Sequence, residues 1–490
     1  MKFFRFVAAL AFAGAILFFN SARADLKLPA VFGDNMVLQQ QMAVPVWGWA
    51  APGAEVTVHF AGQKKSTRAG ADGKWLVKLD KSAMSAEPQS LVVESGDTIT
   101  FTNILVGEVW LASGQSNMEK PIGRQVGQKP VLNSTQELAA ANFPNIRLFK
   151  VEKILSAKPL DDLEKFQGWR ECSSNSLDGM SFSAAAYFFG REIHTNLNVP
   201  VGLIESSWGG TRIEPWTPPI GFEKFWSLKK FAAPIGTNKI SNTRPMAIYN
   251  AMIAPMAGFA IRGALWYQGE SNLMGTNNDF LTYDTKMAAL VGGWRKIWGE
   301  GDFPFYFVQI APFKYYGGAL HRVKSPELLP EFWTIQSRAA RRIKNTGIVV
   351  TTDLVDNLND IHPRDKASVG HRLALLALNR TYGETNQICA GPVFRKAKFT
   401  GGKAILQFEN VSGGLMSKGG QPLTWFSIAG QDKNFIPAEA KIAGDTVEVS
   451  APGIEKPRAV RFAWDESAQP NFYNAAGLPA EPFRTDNLHK

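Results

Sequence analysis

The sequence predicts an α/β protein in which a doubly wound sheet is flanked by two β-rich domains. Between residues 106 and 385, apolar runs alternate with segments long enough to form helices, whereas short alternating strands and turns fill residues 25–105 and 386–490. Continuous apolar runs are typical of a parallel sheet that is covered on both faces. The runs are VWLAS (109–113), IRLFKV (146–151), VGLIES (201–206), GALWYQ (263–268), FYFVQI (305–310) and GIVVTT (347–352).

Residues 1–24 have the pattern of a secretory signal peptide. Lys2 and Arg5 precede an apolar stretch from Phe6 to Phe19, and Ala22-Arg23-Ala24 resembles a cleavage site. An uncleaved anchor is the alternative, but the stretch is shorter than the roughly 20 residues that a spanning helix needs. We therefore expect an exported protein, periplasmic or extracellular, with no membrane span after processing.

The charge of the chain gives no sign of a nucleic-acid partner. The formal net charge is +10, and it falls to +7 without the signal peptide, which carries three basic residues and no acidic ones. The densest basic run, RAARRIKN from Arg338, is typical of the solvated face of a helix. Since no basic stripe is interleaved with stacking aromatics, we expect no nucleic-acid binding.

The two β-rich domains are predicted from alternation and turn signals. In the first, Val56, Val58 and Phe60 alternate with polar residues, Asp72-Gly73 marks a turn, and SLVVESGDTITF is typical of a hairpin around Gly96-Asp97. In the second, the same alternation returns in KAILQF, TVEVS and AVRFAW. We expect a small β-sandwich before the central domain and a second β domain after it.

Cys172 and Cys389 are the only cysteines, in a compartment that permits disulfides. A bridge between them and two buried free thiols are both compatible with the sequence. No Cys/His cluster has the spacing of a metal site, and no glycine-rich phosphate loop is present. We therefore predict neither a metal nor an organic cofactor.

Polar clusters follow several of the predicted sheet strands. Because ligands in doubly wound sheets bind beyond the carboxyl ends of the strands, clusters at these positions are expected to converge on one site. The clusters are GQSNM after 109–113, SSWGGTRIEPW after 201–206, QGESN after 263–268 and DIHP in the loop beyond 347–352.

Ser116 in GQSNM and His362 in DIHP are candidates for a nucleophile and its base. A serine hydroxyl needs a base to become an effective nucleophile, and histidine is the usual one. Asp360, two residues earlier, can hold the imidazole tautomer, and Pro363 can open a following helix. The other five histidines, His59, His194, His321, His371 and His489, are expected to be structural or solvated. The alternative is that Ser116 is a turn residue and that DIHP only caps a helix.

Acyl transfer also needs donors directed at the developing oxyanion. The backbone N–H groups of Ser116 and Gly210 and the side-chain amide of Asn272 are candidates. Each also has a structural interpretation, since Gly209-Gly210 can be a simple turn and Asn272 a helix cap. The glycine-flanked G-x-S-x-G elbow of the usual α/β-hydrolases is absent around Ser116.

The blocks GQSNM, WGGTRIEPW, WYQGESN and DIHPRDK resemble those of the SGNH hydrolase superfamily, and more closely those of the sialate O-acetylesterase family of secreted carbohydrate esterases. LPAVFGDNMVLQQ, VWGWAAPGAEVTV and GLPAEPFRTD also resemble that family, so the likeness covers nearly the whole chain after the signal peptide. It implies a three-layer α/β/α, flavodoxin-like hydrolase domain with flanking β domains.

The resemblance also implies roles for the residues of these blocks. Ser116 would be the nucleophile and His362 the general base and then acid, with Ser116, Gly210 and Asn272 forming the oxyanion hole. Many SGNH enzymes place an aspartate three residues before the histidine, where this chain has Asn359. Asp360 is therefore the expected third member of a triad, and a Ser–His dyad is the alternative. Candidate substrate-binding residues in the blocks are Gln115, Asn117, Trp208, Arg212, Gln268 and Glu270.

The expected reaction is removal of an acetyl group from an O-acetylated carbohydrate. Trp208, Trp216 and Trp266 suit stacking on sugar rings, although buried core tryptophans are commoner. Arg212 can pair with a sialic-acid carboxylate or form a structural ion pair, so acetylated xylan or xyloglucan is an equal alternative.

Two other classes of function are compatible with the sequence. One is a retaining glycosidase that uses Glu270 and Glu214, and the other is a non-catalytic carbohydrate-binding protein.

Overall fold

The computed structural model describes residues 25–236, 240–275, 278–318 and 322–486, and the predicted signal peptide lies outside these ranges. Its centre is a mostly parallel sheet whose strands run in the order β13-β12-β11-β7-β10-β8-β9. All the apolar runs predicted as sheet strands are in it and are parallel to one another, whereas β9 at the edge is antiparallel to β8. The strands are β7 Asp97–Gly114, β8 Asn142–Val151, β9 Phe166–Ser173, β10 Val201–Ser207, β11 Gly263–Tyr267, β12 Phe305–Val308 and β13 Thr346–Val349.

The helices lie between and after these strands. The bounds are α1 Ser116–Glu119, α2 Ser134–Ala139, α3 Ser174–Gly179, α4 Ala184–Leu197, α5 Pro219–Glu223, α6 Glu270–Leu273, α7 Tyr283–Trp298, α8 Leu328–Arg342 and α9 Lys366–Arg380. Shorter 3₁₀ turns cover Glu214–Trp216, Trp226–Ala232, Ala254–Met256, Asp279–Thr282 and Lys418–Gly420, and a π-helical turn covers Tyr249–Ile253.

The central strand β7 alternates between two hydrophobic clusters. Val109 and Leu111 belong to the cluster that also contains side chains of α7 and α8. Trp110 and Ala112 belong to a second cluster, with side chains of α4 and α9. Each large apolar side chain that is fully removed from water contributes roughly 1.5–3 kcal/mol, so burial on both sides accounts for the unbroken apolar sequence of this strand.

β7 is also continuous with the β structure that precedes it. Its first half pairs with β6 and β1, and its second half pairs with β10 and β11. Residues 105 and 106, where the sequence suggests a domain boundary, therefore lie inside one strand. The early strands lead without a linker into the segment that carries Ser116.

The predicted turns among the early strands are confirmed. Gly73 (φ 77°) precedes β5, and Gly96 (φ 75°) connects β6 and β7 with Ser95 paired to Asp97. Both glycines have a positive φ that other residues adopt only with strain. The strands are β1 Val37–Gln39, β2 Val44–Trp49, β3 Glu55–Phe60, β4 Gln63–Arg68, β5 Lys74–Leu79 and β6 Ser85–Ser95.

The last part of the chain forms further small sheets around a phenylalanine-rich core. Phe426, Phe462, Phe472 and Phe483 pack together with centroid separations of 4.7–6.4 Å. KAILQF, TVEVS and AVRFAW are strands, as predicted. The bounds are β14 Val393–Thr400, β15 Lys403–Glu409, β16 Leu415–Ser417, β17 Phe426–Ala429, β18 Ile436–Pro437, β19 Glu439–Ala443, β20 Thr446–Ser450, β21 Ala459–Phe462, β22 Phe472–Asn474 and β23 Phe483–Arg484.

One sequence question outside the site, the state of the two cysteines, is answered by the structure. Cys172 and Cys389 are free thiols, and burial raises the pKa of the Cys172 thiol to about 12. In the part of the chain that the structure describes, no helix is long and apolar enough to cross a membrane.

Candidate active site

The residues that follow β7, β10 and β11 meet at the carboxyl edge of the central sheet, as the sequence predicts. Gly114 at the end of β7 is paired with Ser207 on one side and with Tyr267 on the other. The loop beyond β13 approaches the same edge, because His362 contacts Ser116. The four polar clusters therefore surround one site.

A glycine at the end of β7 allows the tight turn that presents Ser116. Gly114 has φ 141°, and a Cβ there would lie 2.2 Å from the carbonyl oxygen of Tyr267. The next backbone N–H, that of Gln115, donates to that same oxygen at 2.9 Å. Gln115 is then the N-cap of α1, and Ser116 is the first residue of that helix. Ser116 is therefore not the capping residue of this helix.

Ser116 and His362 form the central contact of the site. His362 Nε2 lies 3.0 Å from Ser116 Oγ, and both residues are partly accessible to solvent. Burial, followed by the charge of Lys366, lowers the pKa of His362 to about 4. At neutral pH the imidazole is therefore uncharged and can accept the serine proton.

Asp360 lies close to the imidazole but binds mainly to the backbone. Its Oδ1 accepts the backbone N–H of His362 at 2.9 Å and lies 3.6 Å from His362 Nδ1. A separation of 3.6 Å is too long for a normal hydrogen bond. Asp360 thus fixes the conformation of the loop and acts on the imidazole mainly through its charge.

The interpretation of DIHP as a helix start is wrong. Helix α9 begins at Lys366, and its N-cap is Asp365, whose Oδ1 accepts from Ser368 N at 2.9 Å. Pro363 lies before the helix rather than at its first position. Asp360 and His362 are therefore free of any capping role.

The side chain of Asn117 links α1, the helix that carries Ser116, to the loop that carries His362. Its side-chain amide donates to Glu270 Oε1 at 2.6 Å and to the carbonyl oxygen of Ile361 at 3.0 Å. Its side-chain oxygen accepts from Lys366 Nζ at 2.8 Å. Asn117 is 1% exposed, so it positions the site and cannot contact a substrate in this conformation.

Glu270 and Lys366 complete this buried network. Glu270 is 1% exposed, and burial raises the pKa of its carboxyl group. Burial lowers the pKa of the Lys366 ammonium to about 7. The same ammonium lies 5.1 Å from the centroid of the Tyr267 ring.

The turn after β10 lies directly over Ser116. A Cβ on Gly209 would lie 3.2 Å from Ser116 Cβ, and the Gly209 N–H donates to Glu119 Oε2 at 2.6 Å. Gly210 has φ 75° and is exposed. Among the hydrogen bonds of the described residues, none involves the Gly210 N–H. That group is therefore available to a ligand.

The side chain of Asn272 makes several hydrogen bonds in the interior of the site. Its amide nitrogen lies 3.1 Å from Glu214 Oε2, and its oxygen accepts from Ile213 N at 3.0 Å and Gln268 Nε2 at 2.8 Å. The interpretation of Asn272 as a cap is wrong, because it lies inside α6. Its side chain ties the turn after β10 to the turn after β11.

Several candidate substrate-binding residues are interior. Gln115, Asn117, Gln268 and Glu270 are at most 3% exposed, so the interpretation of them as direct substrate contacts is corrected. Gln115 Oε1 accepts from Gln268 Nε2 at 3.1 Å, within the network that supports the nucleophile. Sequence reasoning gave each residue a position in a block but not the direction of its side chain.

Trp208 and Arg212 remain accessible at the site. Trp208 is partly exposed, whereas Trp216 and Trp266 are at most 1% exposed and pack as core residues. Arg212 Nη1 lies 3.6 Å from Asp279 Oδ2, and its side chain is 34% exposed. Arg212 therefore has a partner and still reaches solvent.

Lys366 and Glu119 are two positioning residues of the candidate site that the sequence analysis did not identify. Lys366 is the last residue of the block DIHPRDK, and Glu119 directly follows the block GQSNM. Glu119 forms an ion pair with Lys153 and accepts from Gly209 N, so it fixes the turn over Ser116. Proximity to a block was the only available signal, because the partners are distant in sequence.

The described histidines other than His362 lie outside this centre. His194 and His371 are within α4 and α9, and His59 contacts Glu94 on the surface. His321 and His489 are outside the described residues. Among the described residues, no group of three or more His, Cys, Asp or Glu side chains is placed to hold a metal ion.

Comparisons with known proteins identify the family to which this chain is similar. A sequence profile described as carbohydrate esterase, sialic acid-specific acetylesterase matches residues 106–379. The human sialate O-acetylesterase is 29% identical, covering 95% of this chain and 93% of the human protein, and that of Rattus norvegicus is 28% identical, covering 94% of each. A crystal structure of a carbohydrate acetylesterase from Xanthomonas citri is 36% identical with a TM-score of 0.84, covering 94% of this chain and 100% of that chain.

Proposed function

This chain belongs to the carbohydrate esterase family that contains the sialic acid-specific acetylesterases, and we propose that it removes O-acetyl groups from carbohydrates through an acyl-enzyme on Ser116. One observation carries the proposal: His362 Nε2 lies 3.0 Å from Ser116 Oγ. A nucleophile in hydrogen-bond contact with an uncharged imidazole is the arrangement that acyl transfer requires.

In the first half of the reaction, His362 Nε2 takes the proton of Ser116 as the hydroxyl oxygen attacks the acetyl carbonyl carbon. The tetrahedral intermediate collapses by breaking the bond to the sugar oxygen, and the imidazolium gives its proton to that oxygen. The sugar leaves with a free hydroxyl group, and the acetyl group remains on Ser116.

In the second half, a water molecule replaces the sugar. His362 takes a proton from the water as its oxygen attacks the acyl carbon, and the proton returns to Ser116 Oγ when acetate leaves. The negative charge of the Asp360 carboxylate, in the loop that carries His362, favours the imidazolium that forms in both halves of the reaction. With Asp360 3.6 Å from Nδ1, the geometry supports a Ser–His dyad assisted by this charge more than a hydrogen-bonded triad.

Two backbone donors are proposed for the oxyanion. The Gly210 N–H has no hydrogen-bond partner among the described residues and directly follows Gly209, which lies over Ser116, and the Ser116 N–H is in the first turn of α1, where helix amides lack intrahelical acceptors. The sequence prediction of Asn272 as a further donor is corrected, because the residue is 0% exposed and its amide nitrogen faces Glu214.

The proposed substrate is an O-acetylated sialic acid or an acetylated plant polysaccharide. The curated relatives are named for sialate, and the partly exposed guanidinium of Arg212 suits a carboxylate. The Xanthomonas citri relative is named only as a carbohydrate acetylesterase. Because Arg212 already faces Asp279, a neutral acetylated sugar is equally compatible with this side of the site.

Export and domain organisation are part of the same proposal. The pattern of residues 1–24 supports secretion to the periplasm or beyond. The two hydrophobic clusters on β7 support a three-layer α/β/α hydrolase unit over residues 106–385, and the small sheets support β domains over 25–105 and 386–490.

The two alternative functions have less support. A glycosidase would need accessible carboxylates, but Glu270 is 1% exposed and Glu214 is 4% exposed and lies 2.6 Å from Lys286 Nζ. A binding protein without turnover would not need the contact between Ser116 and His362.

The test is acetate release from O-acetylated sialic acid and from acetylated xylo-oligosaccharide by the mature protein. We compare the wild type with Ser116→Ala and with Ser241→Ala, an exposed serine control. Release that is lost in Ser116→Ala alone supports the proposal, and the better substrate identifies the carbohydrate class. Equal release by all three proteins, or retained release in Ser116→Ala with loss in Glu270→Gln, would overturn it.

A further inference from the structure

A second groove lies away from Ser116, in the last β-rich part of the chain. It has a volume of about 410 Å³ and lies against Glu327, the N-cap residue of α8. Ligand pockets for small molecules begin at about 300 Å³, so this groove is large enough for one or two sugar rings.

The floor of the groove is the outward face of three paired strands. Ser427 on β17 is directly opposite Arg461 on β21 and Pro437 on β18. Side chains at paired positions point to the same face of a sheet, so these three form a continuous surface. Phe426 and Ile428, which flank Ser427, belong to the hydrophobic core on the opposite face.

Aromatic side chains line the walls of the groove. The Arg461 guanidinium lies 3.9 Å from the centroid of Phe435 and 5.5 Å from that of Trp464. Trp425 is 40% exposed at the same groove. Flat aromatic rings with polar neighbours suit the apolar C–H faces and hydroxyl groups of a sugar.

The charge of the groove is balanced internally. Arg461 Nη1 lies 3.1 Å from Glu327 Oε1, and its Nη2 lies 3.0 Å from Asp486 Oδ2. The only cation among the lining residues is thus paired with two carboxylates, and Asp465 adds a further acidic group. A negatively charged ligand would meet no free cation here, which favours a neutral ligand.

Trp425 holds an unusual backbone conformation at this groove. Its φ is 65°, in the left-handed region that bulky side chains rarely adopt. Its carbonyl oxygen accepts from the N–H of Ala463, which also has a positive φ of 53°. Such strain persists where the surroundings impose it and is concentrated at binding and catalytic sites. Glycine would adopt this conformation with less strain, so the presence of a tryptophan at this position indicates a role for its indole ring.

The groove is connected to the loops that frame Ser116. Glu466, two residues after Trp464, accepts the backbone N–H groups of Tyr316 and Gly317 at 2.7 Å each. Lys314 N donates to the carbonyl oxygen of Leu358 at 3.0 Å, within the loop that carries His362. The wall of the groove and the histidine loop therefore contact the same segment of chain.

We propose that this groove binds a neutral sugar segment of the glycan chain whose acetyl groups Ser116 removes, with the ring stacked on Trp425. The inference rests on the proposed esterase function, and it extends that function from a single acetylated sugar to an oligosaccharide or polysaccharide. Binding remote from the reacting group then retains a long chain while one acetyl ester after another is presented to Ser116.

The test is calorimetric binding of acetyl-free xylohexaose and cellohexaose to the Ser116→Ala protein, which does not depend on turnover. We add Trp425→Ala or, as a matched control, Trp226→Ala, whose tryptophan is 87% exposed outside the groove. Trp425→Ala should weaken binding of at least one hexasaccharide about tenfold or more, as expected for loss of a tryptophan contact, and Trp226→Ala should match its parent.

A fold check accompanies the binding measurement. Trp425→Gly removes the indole and suits the positive φ, so its thermal unfolding midpoint should stay close to that of the parent while binding is lost. Equal binding by the Trp425 and Trp226 variants, or a parent that binds 3′-sialyllactose but neither hexasaccharide, would overturn the inference. Failure of the esterase function is separately visible, as acetate release that does not depend on Ser116.

Discussion

Lys366 donates a hydrogen bond to the side-chain oxygen of Asn117 at 2.8 Å, directly behind the helix that carries Ser116. Both side chains are at most 1% exposed. Asn117 also binds the carbonyl oxygen of Ile361, the residue before His362. A buried cation is therefore held close to His362 by the same side-chain amide that joins the Ser116 helix to the His362 loop.

The first prediction concerns the acid limb of the pH–rate profile. Burial and Lys366 lower the pKa of His362 to about 4, so its neutral form predominates above that pH. We expect kcat/KM for acetate release to be lost only as the pH falls through about 4, rather than near the ordinary histidine value of about 6.5. The measurement is kcat/KM between pH 3 and pH 8, with a check that the protein stays folded. An acid limb near 6.5 would contradict the prediction.

The second prediction is that Lys366→Met moves the acid limb of the pH–rate profile to higher pH. The pKa of Lys366 is lowered to about 7, so its side chain is still charged at pH 4 and opposes protonation of His362. Burial is the larger cause and remains in the variant, so we expect a shift of roughly half to one pH unit rather than full recovery.

The control for this variant is Lys441→Met, which removes an 80% exposed lysine on β19. It should leave the profile unchanged. If Lys366→Met lowers kcat equally at every pH without moving the limb, the lysine supports only the structure.

The third prediction separates a dyad from a triad. Asp360→Asn keeps an oxygen that can accept the backbone N–H of His362 but removes the charge 3.6 Å from Nδ1. We expect kcat to fall about 10- to 100-fold, well short of the roughly 10⁴-fold loss known when a hydrogen-bonded triad aspartate is replaced. His362→Ala measured in parallel gives the full cost of losing the base. A loss in Asp360→Asn as large as that in His362→Ala would restore the triad.

The sheet could be predicted from the sequence because burial leaves a direct pattern. Strands covered on both faces need apolar residues throughout, and the runs at 109–113 and 201–206 are in β7 and β10. β9 was not predicted, because this antiparallel strand at the end of the sheet mixes buried Trp169 and Cys172 with exposed neighbours in no regular period. The sequence also could not predict that β7 is one continuous strand. Its pairing partners change along its length without a change in its composition.

The site could be predicted only at the level of which residues meet. The carboxyl ends of parallel strands lie at one edge, so Ser116 and His362 could be paired across 246 positions of sequence. The direction of each side chain was not predictable, because α1 and α6 have four residues each, too few for a periodic pattern. Asn117 and Glu270 were therefore assigned to substrate, whereas they bind each other in the interior.

The last prediction tests the turn that presents the nucleophile. In Gly114→Ala, the new Cβ would lie 2.2 Å from the carbonyl oxygen of Tyr267 at a φ of 141°, so the end of β7 must separate from β11. We expect a loss of at least about 3 kcal/mol in the free energy of unfolding, together with loss of acetate release.

Gly292→Ala is the matched control, because it lies in α7 with nothing within 4 Å of its Cβ. That variant should gain about 0.5–1 kcal/mol from the helix preference of alanine. Chemical unfolding of both variants provides the measurement, and a Gly114→Ala protein as stable and active as the wild type would show that the close approach of β7 and β11 is not required to hold Ser116 against His362.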